Sequence, residues 1–236
     1  MTAAPFTLGP VVADASSGLS YRLRQPVAQR ADRCVVLLHG VGSNESTLLD
    51  LATGLGAETL VVFARGPLAI GPQQFAWFQV QFTPQGPRIA PEQAEHSRRA
   101  LIELLAGLRS RYGVGAQSTV IAGFSQGGIL SASVGLSAPD SVAGFAVLSG
   151  RILPELEPAI APRAQLARLQ AFVGHGQFDS KLPVDWAHRA DTWLCDLGVP
   201  HTVQLYPIDH TVSSAMQADF VAWVHAVLPV TPAVSQ

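Results

Sequence analysis

Two apolar patterns alternate along this chain. The first is a short unbroken run. Cys34-Val35-Val36-Leu37-Leu38 stops at His39-Gly40, and Thr59 to Ala64 stops at Arg65-Gly66-Pro67. Thr119-Val120-Ile121-Ala122, Phe145 to Leu148 and Ala171-Phe172-Val173 read the same way, and Thr202 to Tyr206 is the last strand. Runs this short, with no polar alternation, predict strands buried on both faces, as in a parallel sheet. The second pattern is helical. Leu101, Leu104, Leu105, Leu108 and Tyr112 share one face of a helix over Glu92 to Tyr112, which Gly113 should stop. Ala187, Ala190, Leu194 and Leu197 do so over Val184 to Leu197, before Gly198, and Met216, Phe220, Trp223 and Val227 over Ser213 to Val227. Gly127 to Leu136 reads as a helix of small residues.

Strands alternating with helices predict an α/β fold, a mostly parallel sheet covered by helices on both faces. Thr7 to Arg24 fits an opening hairpin, with Leu19, Tyr21 and Leu23 alternating. Gly66 to Pro91 is rich in Gly, Pro and Gln and contains Phe75, Trp77, Phe78 and Phe82. It reads as a long functional loop over one end of the sheet. No repeat or internal boundary divides residues 1–236, so one domain is expected, with loose ends at 1–6 and 230–236.

Composition narrows the function. The 236 residues are 48% hydrophobic and 14% charged, with a net charge of −2. That predicts an ample apolar interior, and no basic stripe invites nucleic acid. No apolar run approaches the ~20 residues of a bilayer span, and no basic segment precedes the first apolar residues, so neither stable membrane insertion nor secretion is expected. The expected location is cytoplasmic. Cys34 and Cys195 read as free, buried thiols, though the sequence leaves a disulfide between them open. No two histidines fall at ligand spacing with a third donor, so neither a metal nor another cofactor is expected.

Chemistry concentrates where strands end. Gly123-Phe124-Ser125-Gln126-Gly127 lies between the strand ending at Ala122 and a helix. A serine nucleophile needs a tight strand-to-helix turn that lifts its hydroxyl clear of the backbone, with small neighbours. Its proton must go to a base. In this chain order the acid and then the histidine follow on later loops. Asp179 lies beyond the strand ending at Val173, and His210 beyond the strand ending at Tyr206. Asp209 is a rival acid, but neighbours along a chain point apart, and it reads as a solvated loop residue. His175 reads as structural. His96, His188, His201 and His225 have no position from which to reach Ser125. An oxyanion would meet the backbone N–H groups of Gln126 and of Val41, in His39-Gly40-Val41-Gly42. Gly40-Val41-Gly42 could instead open a dinucleotide loop, but Glu45 stands where its third glycine belongs.

Together, His39 to Glu45, Trp77-Phe78, Gly123 to Gly128, His175 to Asp179 with Pro183-Val184, and His210 to Ser213 resemble the phospholipase/carboxylesterase family. The resemblance implies an α/β-hydrolase fold without a large cap, acting on a small-molecule ester or thioester of short to medium acyl length. It implies that Trp77, Phe78 and Phe82 border the acyl pocket, and it allows a homodimer. Ser43-Asn44-Glu45 places the chain nearer the bacterial carboxylesterases than the acyl-protein thioesterases. The reading is a serine carboxylesterase. Thioesterase or lysophospholipase action on the same triad is the alternative, and an acyltransferase or a non-catalytic ligand-binding protein stands further off.

Overall fold

The computed structural model describes residues 6–25, 27, 31–83 and 86–229. The expected loose ends fall outside them, except Phe6, which packs against the core beneath the Arg24 guanidinium. The opening strands are β1 (Thr7–Leu8), β2 (Val12–Ala13) and β3 (Ser20–Gln25). Then come β4 (Arg33–Leu38), β5 (Thr59–Arg65), the hairpin β6 (Leu68–Gly71) and β7 (Gln74–Ala76), and the hairpin β8 (Val80–Thr83) and β9 (Gly86–Ile89). Helix α1 (Pro91–Tyr112) leads to β10 (Thr119–Phe124), α2 (Gln126–Ser137), β11 (Gly144–Leu148), α3 (Arg163–Leu166) and β12 (Gln170–Gly176). Helix α4 (Asp185–Leu197), β13 (His201–Tyr206) and α5 (Ser214–Val227) close the chain.

Among the described residues, nine strands form the main sheet in the order β1-β3-β5-β4-β10-β11-β12-β13, with β2 also on β3. From β5 to β13 every pairing is parallel, whereas β3 runs antiparallel to β5. The parallel strands β4 and β11 are buried end to end, and β10 as far as Gly123, which explains their apolar sequences. One face is covered by α1, α2 and α4 through residues such as Leu101, Leu130 and Leu194. The other is covered by α5 and a 3₁₀ turn at Leu49–Ala52. Helix α2 is buried from Gln126 to Leu136, which suits its lack of a polar face. Gly113 and Gly198 end α1 and α4 in the left-handed region, and Ser213 caps α5 by accepting from the Met216 amide at 3.2 Å.

Three expectations need correction. Residues 66–91 are not one long loop: their Gly and Pro residues punctuate two hairpins, and Gln73 turns the first at φ 56°. Cys195 is exposed, because it follows the core residue Leu194 by one position and so turns off the buried face of α4. On α5 the third buried residue is Val224 rather than Trp223 or Val227, following Met216 and Phe220 at four-residue steps. Both cysteines are free, with Cys34 buried. No helix among the described residues is long and apolar enough to cross a membrane.

Candidate active site

Strand order reverses direction at β4, with β5 on one side and β10 on the other. Loops leaving the carboxyl ends of β4 and β10 therefore diverge around a crevice, where α/β proteins place their sites. Ser125 stands there, between β10 and α2, at φ 53° and ψ −115°. Its amide donates to the Leu148 carbonyl at 2.8 Å, which ties the turn to β11. The flanking glycines answer to crowding. A Cβ on Gly127 would run into the carbonyl oxygens of Leu38 and His39, and one on Gly123 into the Gly127 backbone.

The three residues expected from chain order converge. His210 Nε2 lies 3.0 Å from Ser125 Oγ, and His210 Nδ1 lies 2.7 Å from Asp179 Oδ2. Asp179 Oδ1 accepts from the Lys181 and Leu182 amides at 2.9 and 2.8 Å. This carboxylate is buried, and its Oδ2 faces the His210 imidazole, with His175 Nε2 further off at 3.5 Å. Phe124 packs on the His210 ring at 4.8 Å between centroids. His175 Nε2 donates to the Leu182 carbonyl at 2.8 Å, and burial depresses its pKa, so a neutral ring braces the acid loop. Asp209 does more than meet solvent. It is exposed, yet its Oδ1 accepts from the Ser180 and His210 amides at 2.7 Å each, joining the acid loop to the base loop. Those two amides hold its carboxyl below the usual range.

Val41 and Gln126 both border the cavity beside Ser125. Their amide neighbours are engaged: Gly42 N donates to Phe75 O at 2.9 Å and Ser43 N to Gly40 O at 3.3 Å. No acceptor is found for the Val41 or Gln126 amide among the described residues. The loop carrying Val41 is clamped from several sides. Phe75 N donates to Ser43 O at 2.8 Å, which fastens the β6–β7 hairpin to it. His39 donates from Nδ1 to Gly40 O at 2.7 Å and accepts on Nε2 from Gly66 N at 3.0 Å. Burial lowers the His39 pKa, in keeping with that neutral tautomer. Glu45 turns inward to Arg22 at 3.0 Å and to Arg65, whose guanidinium lies over the Phe75 ring at 4.5 Å. Burial alone would raise the Glu45 carboxyl, but the hydrogen bonds from Arg65 and Arg22 outweigh it and hold it at about 2.

The cavity has a volume of about 580 Å³ and is lined mainly by apolar side chains, Phe78, Val80, Ile89, Ile129 and Leu182 among them. Trp77 does not line it. That ring is fully buried beneath, donating from Nε1 to His39 O at 2.9 Å. The Phe82 side chain lies outside the described residues. The Gln126 side chain has a role that sequence did not suggest. Its Oε1 accepts from Trp77 N and its Nε2 donates to Phe78 O, both at 2.7 Å, so it fixes the segment that puts Phe78 on the cavity wall. Arg151 also borders the cavity. Elsewhere, Asp191, Cys195 and His201 bring ligand-type atoms within 4.8 Å of one another, so Cys195 does not stand alone. Asp191 and Cys195 are one turn apart on α4, and only the fold adds His201.

A mostly parallel sheet with flanking helices, no large cap and a serine on the turn after a central strand define the α/β-hydrolase fold. A family model described as phospholipase/carboxylesterase matches residues 25–227, and the chain belongs to that family. It is similar in structure to a carboxylesterase from Mesorhizobium loti, at 24% identity and TM-score 0.77 over 91% of this chain and 97% of that one. It is also similar to the esterase PE8, at 26% identity and TM-score 0.76 over 94% and 100%. A third similar structure is the Bacillus cereus carboxylesterase, at 19% identity and TM-score 0.75 over 89% and 94%. The chain is a hydrolase of carboxylesterase type.

Proposed function

We propose that this chain is a serine carboxylesterase that hydrolyses short- to medium-chain esters through an acyl-enzyme on Ser125. The observation that carries the reading is the unbroken path from Ser125 Oγ through His210 to the buried Asp179, at 3.0 and 2.7 Å, opening on an apolar cavity. In this mechanism His210 Nε2 takes the Ser125 proton as the hydroxyl attacks the ester carbonyl. Asp179 holds the ring with Nδ1–H toward itself and stabilises the imidazolium without taking the proton. The oxyanion meets the Val41 and Gln126 amides. The C–O bond to the alcohol then breaks, and His210 returns its proton to the departing oxygen. Water, deprotonated by the same imidazole, attacks the acyl-enzyme and releases the acid and free Ser125. The cycle needs His210 to accept and return one proton in each half-reaction.

The test is hydrolysis of p-nitrophenyl esters of graded acyl length by wild type beside Ser125→Ala, with fluorophosphonate labelling. Hydrolysis and labelling by wild type alone are expected, with an optimum at short to medium chains. Comparable turnover by Ser125→Ala would refute the acyl-enzyme.

A further inference from the structure

We propose that the cavity is built for an ester whose acyl or alcohol part carries a carboxylate, and that Arg151 binds that carboxylate. The inference rests on the esterase reading of Ser125. Arg151 follows β11 through Ser149 and Gly150. Ser149 adopts φ 47°, and its amide donates to Gly174 O at 2.7 Å. A Cβ on Gly150 would meet Val147 Cγ1 at 2.8 Å and the Ser125 carbonyl oxygen at 3.0 Å. The segment is therefore pressed against the nucleophile turn, and Arg151 is held at a fixed place in the cavity wall.

Arg151 is 7% exposed and its guanidinium lies over the Trp186 ring at 4.6 Å, and Arg189 lies over the same ring at 4.8 Å. Arg151 Nε is buried without a hydrogen-bond partner, and no carboxylate forms an ion pair with Arg151 among the described residues. Glu155 acts on it only from beyond ion-pair distance. Arg33 shares the unpartnered Nε, but it, Arg22 and Arg65 have carboxylate partners. Arg33 holds Glu58 and the Leu228 carbonyl, while Arg22 and Arg65 share Glu45. A guanidinium does not escape burial by losing its proton, so an unpaired one is costly unless an anion joins it. Lys181 adds a second cation at the rim, and no acidic residue lines the cavity among the described residues. A carboxylate offers the two oxygens that a guanidinium fork matches. An apolar wall with a fixed cation selects a substrate with a short hydrocarbon chain ending in negative charge.

The experiment compares p-nitrophenyl esters of monocarboxylic acids with p-nitrophenyl monoesters of dicarboxylic acids of equal carbon number. Wild type, Arg151→Met and Arg151→Lys are assayed, and monomethyl adipate is titrated calorimetrically into Ser125→Ala with and without Arg151→Met. Wild type is expected to favour the anionic ester in kcat/KM by on the order of 10- to 100-fold. Arg151→Met should erase that preference, Arg151→Lys should restore part of it, and monomethyl adipate should bind Ser125→Ala only while Arg151 is present. An anionic-to-neutral ratio near one in wild type, or one unmoved by Arg151→Met, would overturn the proposal. If neither ester is turned over yet Arg151-dependent binding persists, the esterase reading fails and the carboxylate site stands. If Arg151→Met does not fold, the Arg151→Lys ratio and the wild-type preference decide.

Discussion

Ser125 holds a backbone conformation that residues other than glycine adopt only under duress, and the surrounding contacts hold it there: the Leu148 carbonyl, the buried start of α2 and the two flanking glycines. In the proposed mechanism the residues around it divide into those that react and those that position. Asp179→Asn would offer His210 an amide where it now meets a carboxylate, favouring the wrong tautomer. A loss of kcat on the order of 10³- to 10⁴-fold is expected, with little change in melting temperature. Steady-state kinetics beside a melting curve checks it, and a loss under tenfold would remove Asp179 from the triad. Gln126 belongs to the second group through its side chain. Gln126→Leu would strand the Trp77 amide and the Phe78 carbonyl, each worth about 1–3 kcal/mol when buried and unpaired. Denaturant unfolding should therefore show a loss of about 2–5 kcal/mol, and the acyl-length profile should flatten as Phe78 loses its anchor. A variant with wild-type stability would mean that the Trp77–Phe78 segment is held by other contacts.

At the scale of elements, close approach of backbones decides more than propensity does. Gly127→Ala would drive a methyl into the Leu38 carbonyl, between a strand and a helix that cannot separate without breaking the core. A loss of about 4 kcal/mol or more is expected, or no folded protein. Gly115→Ala meets nothing within 4 Å and should change stability by about 0.5 kcal/mol or less. Chemical denaturation of the pair measures the contrast, and similar values would show that the turn is slack. These same elements explain what the sequence made legible. Buried parallel strands must be apolar throughout, so Cys34 to Leu38 and Thr119 to Ala122 declare themselves. The Ser125 turn is legible because its geometry restricts which residues fit, and Asp179 and His210 because each follows shortly after a strand recognised already. The β6–β7 and β8–β9 hairpins are hidden because their partners are local and their faces mixed, so Gly and Pro look like loop markers. Arg151 is hidden for another reason: Ser-Gly-Arg after a strand looks like a polar connection, and only β11 and β12 side by side turn it inward. The contacts of Asp209 and the Gln126 side chain likewise depend on which loops meet.

Across the whole molecule, the site stands on buried ionisable groups, and their protonation sets the acid limit of the fold. His39 and His175 are buried, and burial lowers both from the ordinary 6.5. The unfolded chain therefore binds protons on these rings at a pH where the folded chain does not. That makes stability fall with pH once it drops below about 6.5, by up to about 1.4 kcal/mol per unit for each ring, until the folded rings also titrate. Glu45 acts in a lower window. Its folded carboxyl sits at about 2 through Arg65 and Arg22, so its contribution is complete above an unfolded value of ~4.3 and is lost as pH falls toward 2. Two successive losses are expected in melting temperature measured from pH 8 to pH 3. The first, below about 6.5, should weaken in His175→Asn, and the second, below about 4.3, in Glu45→Gln. Both groups support loops of the proposed site: His39 and Glu45 brace the Val41 loop, and His175 braces the loop of Asp179. Mild acid should thus loosen the site before it unfolds the sheet. Hydrogen exchange at pH 5.5 should rise first around residues 39–45 and 175–182 while β10 and β11 stay protected. Uniform exchange across these segments would show that the histidines stabilise the molecule only globally.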